Sequence, residues 1–198
     1  MNYTSKKTVK DLLKLKNHVN VNLGAGESLI SGFINVDIVP KPGIDIVCDL
    51  EKYPWPFPSG SVNLLVASQL VEHIDPHGGN FIRFMDEAWR VLKTDGQFMI
   101  ATPYGQSAAY IQDPTHCNPC NELTWSYFDP HDDMSGGMLY MNYRPKPWRI
   151  LENSWYSQGN MEVLLQKRLD DPSYHTVEIT KNRTLTIYKP EPPEKEKK

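Results

Sequence analysis

Cysteine is scarce in this sequence. Cys48, Cys117 and Cys120 are the only three in 198 residues, which excludes a disulfide framework and makes a reducing compartment, the cytoplasm, the expected home. No apolar run approaches the roughly 20 residues that span a bilayer, so no membrane association is expected. The opening MNYTSKKTVKDLLKLK has lysines without the apolar region of a secretory signal behind them. A basic stripe is also missing. Lys and Arg number 21 against 24 acidic residues, a formal net charge of −3, and duplex nucleic acid, which binds through phosphate neutralisation, is not the expected partner. There is no internal repeat. Low complexity is confined to PEPPEKEKK, residues 190–198, whose prolines and charges read as a disordered tail.

What remains fits one domain, residues 1–189, with 39% hydrophobic and 23% charged residues. Thr8–Leu15 has the spacing of a short helix. VNVNLGAGESLISGFINVD, Val19–Asp37, reads as a buried strand, a glycine turn at Gly24, Ala25 and Gly26, and a second strand ending in an acid, Asp37. That order is the working part of a nucleotide-binding α/β fold. Glycines let backbone approach a ligand, and a strand-end carboxylate can accept from both hydroxyls of a ribose. Only nine residues, Gly24–Gly32, separate the two strands, whereas a parallel crossover takes about a dozen or more. The intervening helix is therefore expected to be a turn or two around Glu27–Ile30, or absent.

Further strands are predicted at Ile44–Cys48, which runs into Asp49 and Leu50, at Val62–Ala67, and at Gln97–Ala101 after a turn at Thr94–Gly96. Phe81, Phe84, Met85, Ala88, Trp89 and Leu92 form one helical stripe over Asn80–Leu92. Residues 104–159 interleave proline, glycine, aromatics and histidine, and are read as a long loop region that is functional or carries short local elements. Met161–Leu169 and Val177–Tyr188, with a turn region near Asp170–Ser173, read as two strands that must pair antiparallel. The expected fold is α/β: a Rossmann-like, mostly parallel twisted sheet with helices on both faces and a C-terminal antiparallel hairpin.

The segments NLGAGE, NVDI, CDLE, YPWPFPSGSVNLLVASQLVEHI and EAWRVLKTDGQFMIATP, in that order, resemble the class I S-adenosylmethionine-dependent methyltransferases, most closely the small-molecule branch. The resemblance covers residues 19–103 closely and 160–188 in outline. It implies S-adenosylmethionine as cofactor. Gly24, Ala25 and Gly26 would line its methionine part, Asp37 would hold the ribose hydroxyls, Ile38 would pack on the adenine, Asp49 would accept from the adenine amino group with Leu50 over the ring, and Ser68 and Gln69 would sit beside the sulfonium. The sequence departs from the family pattern at Asn22, where an acid is usual, and at Glu27-Ser28, where a third glycine is usual.

Methyl transfer needs alignment more than a fixed catalytic motif, so acceptor-side residues are read from chemistry. Asp113-Pro114-Thr115-His116, an element that recurs in bacterial methyltransferases of this type, offers His116 as base or acceptor ligand, with Asp113 and Tyr104 as acceptor-binding residues; equally, Asp113 and His116 can simply lock the loop. Glu72-His73 can face the transferred methyl or hold the adjacent loop. His116-Cys117-Asn118-Pro119-Cys120 contains three zinc-ligand types, but a single CxxC is weak, and no metal site is assigned. Arg144–Arg149 can grip an anionic acceptor or be surface loop with one buried Trp. Tyr110, Trp125, Tyr127 and Phe128 can line a pocket or form a minor core. Asp45 and Glu51 are read as solvated. The leading function is methyl transfer to a small-molecule or carbohydrate-type acceptor at oxygen or nitrogen. The alternatives are a catalytically silent S-adenosylmethionine- or S-adenosylhomocysteine-binding partner protein, and a nicotinamide-dependent oxidoreductase, against which the missing third glycine of G-x-G-x-x-G argues.

Overall fold

The structure is a computed structural model that describes Leu13, residues 19–156 and residues 159–169. The helix read at Thr8–Leu15, apart from Leu13, the strand read at Val177–Tyr188, its preceding turn region and the tail lie outside the described residues.

Among the described residues, seven strands form one sheet: β1 (Asn20–Leu23), β2 (Ile34–Asp37), β3 (Ile46–Val47), β4 (Val62–Ser68), β5 (Leu92–Pro103), β6 (Trp148–Tyr156) and β7 (Asn160–Lys167), in the spatial order β3-β2-β1-β4-β5-β7-β6. The first five are parallel to one another. β7 runs antiparallel to both β5 and β6. The chain steps outward from β1 to β3 and then returns to lay β4 against the free side of β1. The switch point between β1 and β4 opens a crevice at their carboxyl ends, where open α/β sheets bind ligands.

α1 (Asn80–Val91) crosses from β4 to β5 and buries Phe81, Phe84, Met85, Ala88 and Val91 against the sheet. Of the stripe that the 3.6-residue spacing predicts, Phe81, Phe84, Met85 and Ala88 are buried, Trp89 is half-buried and Leu92 has passed into β5. Glu87, on the same helix, is also buried. Its carboxylate accepts from the Trp55 backbone N–H at 2.6 Å and from Arg90 Nη2 at 2.6 Å, while Arg90 Nη2 also donates to the Phe57 carbonyl at 2.9 Å. The proline-rich loop is thereby clamped to α1, with Trp55 and Phe57 in the core. Three short α-helices follow: α2 (Ala108–Ile111), α3 (Glu122–Ser126) and α4 (Tyr140–Tyr143), each of at most five residues.

No helix lies between β1 and β2; residues 24–33 are turns, bends and extended chain. Asparagine amides hold the segment instead. Asn22 and Asn35 are side by side in register on β1 and β2, both buried. Asn22 Nδ2 donates to the Ser28 carbonyl at 2.9 Å and to Asn35 Oδ1 at 3.0 Å. Asn35 Oδ1 also accepts from the Ile30 N–H at 2.9 Å, and its Nδ2 donates to the Ile30 carbonyl at 3.2 Å. Asp45, read as solvated, accepts from the Asn35 backbone N–H at 2.9 Å. Glu51, read likewise, bridges Asp75 N–H and Asn80 Nδ2 at 2.9 and 2.8 Å.

β3 is shorter than expected, and the larger departures are at β5 and β6. The turn at Thr94–Gly96 is a bulge inside one long strand: Val62 pairs with Leu92 and Leu64 with Gln97, and Asp95 takes φ +57°. The hairpin pairs β7 with β6, whose residues fall in the stretch read as loop. β6 is an edge strand with a register irregularity between Ile150 and Glu152, so the period-2 alternation is broken in the sequence. Trp148, at its start, is fully buried, which makes Arg144–Arg149 a loop anchored by one buried Trp.

Candidate functional site

The carboxyl ends of β1 and β2 form a small backbone cradle. Gly24 and Gly26 take φ +63° and +52°, left-handed values that suit glycine. A Cβ on Gly24 would stand 2.7 Å from Leu70 Cδ1, so Leu70 closes one side of the turn; a Cβ on Gly26 would meet nothing nearer than the Gly24 carbonyl oxygen at 4.0 Å. The space over Gly26 is therefore open to a ligand. Asp37 braces the cradle, accepting from the Gly26 N–H through Oδ2 at 2.8 Å and from the Val39 N–H through Oδ1 at 2.8 Å. Each carboxylate oxygen has a further lone pair to offer. Ile38, next in sequence, is 61% exposed. Asp49 follows β3 with its carboxyl held below the usual range by the Glu51 backbone N–H and by Lys52. Leu50 is buried in the core and Ala25 is buried in the turn, so both offer backbone more than side chain.

Beyond the ends of β4 and β5 lies a cleft of about 580 Å³. One wall is Gln69, Glu72 and His73 after β4; the other is Gln112, Asp113 and His116 after α2. Ser68 and Gln69 are exposed at the tip of β4. Gln69 has φ +53°, a costly conformation for a residue with a Cβ, and lies between Leu70, which touches the glycine turn, and the cleft.

Glu72 is fully buried. Its Oε2 accepts from Thr102 Oγ1 at 3.0 Å, and its Oε1 has no hydrogen-bond partner. Burial pushes its carboxyl up, opposed by its own backbone N–H, the Thr102 hydroxyl and the two neighbouring histidines. The Glu72 carbonyl meanwhile accepts from the Cys117 and Asn118 N–H groups at 2.9 and 3.0 Å, which ties the 113–118 loop to the segment after β4. His73 and His116 meet edge to face, ring centroids 4.7 Å apart. His116 Nδ1 is 2.8 Å from the Tyr110 carbonyl, and His73 Nδ1 is 3.2 Å from Thr115 Oγ1.

Asp113 Oδ1 accepts from Thr115 Oγ1 at 2.7 Å and from its N–H at 2.8 Å, which fastens the loop, and both Asp113 and His116 line the cleft. Tyr104 is not among the cleft-lining residues. It pairs with Cys120 in an isolated bridge and packs on Trp155, centroids 4.3 Å apart. Trp125 and Phe128 are core residues in edge contact with Phe81. The cysteines do not join His116 in a cluster: Cys117 and Cys120 donate to the Glu72 and Asn118 carbonyls, and burial pushes the Cys120 thiol up to about 12. The sequence singles out Glu72-His73 as one pair and His116 as a separate candidate but does not join them, because His116 lies in a distant loop that the Cys117 and Asn118 N–H groups and the Asn118 amide tie to the segment after β4.

Residues 32–100 match the family model described as a methyltransferase domain. Among solved structures, the chain is similar to an S-adenosylmethionine-dependent methyltransferase from Archaeoglobus fulgidus (TM-score 0.52, 16% identity, covering 77% of this chain and 87% of that one). It is also similar to a 1,6-didemethyltoxoflavin-N1-methyltransferase from Burkholderia thailandensis with its substrate and S-adenosylhomocysteine bound (TM-score 0.51, 12% identity, 75% and 70% covered). A third is the cyclase SpnF (TM-score 0.50, 12% identity, 84% of each chain covered). No curated protein matches the sequence. At these identities the structural likeness is one of fold, and the fold is the one the sequence resemblance implies. No helix among the described residues is long and apolar enough to cross a membrane.

Proposed function

We propose that this chain, whose fold and matched segment are those of the class I S-adenosylmethionine-dependent methyltransferases, binds S-adenosylmethionine over Gly24–Gly26 and Asp37 and methylates a small-molecule or carbohydrate-type acceptor at oxygen or nitrogen. The observation that carries the reading is the polar cleft walled by Gln69, Glu72, His73 and His116, which adjoins the glycine cradle at the switch point of the sheet. When bound, the cofactor supplies an electrophilic methyl group on a sulfonium. Asp37 has lone pairs to accept from ribose hydroxyls in charge-assisted bonds, Ile38 offers an exposed apolar face to the adenine, and Asp49 an ionised acceptor to its amino group. Ser68 and Gln69 border the space between cradle and cleft. On the acceptor side, the Nδ1 of His116 is engaged by the Tyr110 carbonyl, so the neutral ring carries its proton there and Nε2 is free to take a proton from an acceptor hydroxyl or ammonium. Asp113 Oδ2, 3.9 Å from that Nε2, is near enough to stabilise the imidazolium that results.

Calorimetry with S-adenosylhomocysteine tests the cofactor half. Wild-type protein is expected to bind, and Asp37→Ala to bind about ten- to a hundredfold more weakly, the value of roughly 1.5–3 kcal/mol for hydrogen bonds to a charged group. Equal affinity in the two proteins would remove Asp37 from the site. A second reading, cofactor binding without turnover, is favoured by the helix-free crossover between β1 and β2. A screen of hydroxylated, amino and sugar acceptors for S-adenosylhomocysteine release separates the two. Release supports the enzyme; tight binding with no release on any acceptor supports the silent partner.

A further inference from the structure

We propose that Glu72, His73 and His116 form a site for a divalent first-row transition ion, of the zinc, iron(II) or manganese class, on the wall of the cleft. One ligand atom from each of the three lies within 4.8 Å of the others. Bonds of about 2.0–2.2 Å would set neighbouring ligands roughly 3.0–3.5 Å apart, so small side-chain rotations close the set. Two imidazoles with one carboxylate suit these ions better than magnesium or calcium, which take all-oxygen sets.

Two further observations point to a cation. Glu72 is fully buried, yet Oε1 has no donor, while Oε2 is held by Thr102. A buried carboxylate oxygen without a partner is costly, and an ion supplies the missing partner. The histidine protons are the second. His116 Nδ1 faces the Tyr110 carbonyl and can only donate to it. Thr115 Oγ1 gives its proton to Asp113 Oδ1, so its oxygen accepts from His73 Nδ1. Both neutral rings therefore carry their proton on Nδ1 and leave Nε2 as a bare lone pair. A ring nitrogen fixed by a carbonyl or hydroxyl, with the other nitrogen free, is how metal-binding histidines are oriented. Glu72 Oε1 and the two Nε2 atoms are thus the lone-pair donors these three neighbouring residues have to offer. Asp113 Oδ2, 3.9 Å from His116 Nε2, is within reach of a fourth position, and the remaining positions open to the cleft. There an ion would seat an oxygen or nitrogen donor of an acceptor, and with the ion bound His116 Nε2 is a ligand and no longer the base, so the acceptor's proton leaves to solvent. The competing explanation is a proton shared between Glu72 and a histidine.

The inference stands on these residues whether or not the chain transfers a methyl group, and S-adenosylhomocysteine affinity measured on the same samples keeps the two questions apart. Full-length protein is stripped with chelator, dialysed, and titrated with CoCl2 and ZnCl2. One equivalent of Co2+ is expected to bind, with visible d–d bands and without the near-ultraviolet sulfur charge-transfer band that thiolate ligands give. Glu72→Gln, His73→Gln and His116→Ala should each weaken binding at least tenfold, whereas Cys117→Ser should leave it unchanged. Circular dichroism checks the fold of each variant, and any one folded ligand variant suffices. No stoichiometric ion in the wild type, unchanged affinity in a folded ligand variant, or a thiolate band lost in Cys117→Ser would overturn the site. In the first case the shared proton is the explanation that remains.

Discussion

Asn35 carries out with one side chain what a crossover helix does with a backbone ladder. Its amide oxygen accepts from Asn22 and Ile30, and its amide nitrogen returns a bond to Ile30. Replacing it with Ala would orphan one of the two Asn22 amide N–H groups and the Ile30 N–H in a buried place, each at a cost of about 1–3 kcal/mol. Asn35→Ala should therefore lose roughly 2–4 kcal/mol in urea unfolding, part of one group being recovered by water at the loop edge. A loss under about 1 kcal/mol would mean that the amide bridge is not what holds the crossover. At this scale the sequence was readable wherever a residue acts through its own strand. Asp37 is legible as an acid at a strand tip beside a glycine turn, whereas its bond from the Gly26 N–H, which braces that turn, is not. Glu72, His73 and His116 were visible as reactive types. Their meeting depends on the Cys117 and Asn118 N–H groups reaching the Glu72 carbonyl, a long-range bond that no local pattern encodes.

The same distinction governs elements. α1 was legible because six apolar residues repeat at helical spacing, and β4 because it is a continuous apolar run. β6 was not, because an edge strand with a bulge and a proline-rich approach has no alternation to read. Glu87 shows how a helix fixes a loop that has no regular structure of its own. Its side chain is 10% exposed and that of Arg90 29%, so the pair is shielded only in part, and the Trp55 N–H depends on the same carboxylate. Glu87→Ala should destabilise by roughly 2–3 kcal/mol, below the 3–5 kcal/mol seen when fully buried pairs are broken. It should also increase hydrogen exchange at Trp55 and Phe57 more than in β7. Exchange that rises uniformly across the sheet would assign the loss to general unfolding and not to the loop clamp.

For the whole molecule, the decisive property is the return of the chain from β3 to β4. It places two different chemistries side by side at one end of the sheet: a backbone cradle with a carboxylate on the β1–β2 side, and a polar cleft with histidines on the β4–β5 side. The antiparallel β6–β7 pair closes the far side, with Asn160 at the head of β7 reaching the cleft wall. A ligand that binds only the folded chain stabilises it by mass action, about 2.7 kcal/mol at a hundred times its dissociation constant. For a chain of this size that is a shift of roughly 5–10 °C in Tm. S-adenosylhomocysteine at saturation should produce such a shift, and NAD should not. Exchange protection should increase at residues 24–39 and 68–70 and stay level in β6. Saturating divalent ion, added alone, should protect 71–73 and 113–118 and leave 24–39 unchanged. Were both ligands to protect one common set of residues, the division of the site into a cofactor cradle and an ion-bearing acceptor wall would have to be abandoned, because the switch point would then present a single site where two are argued.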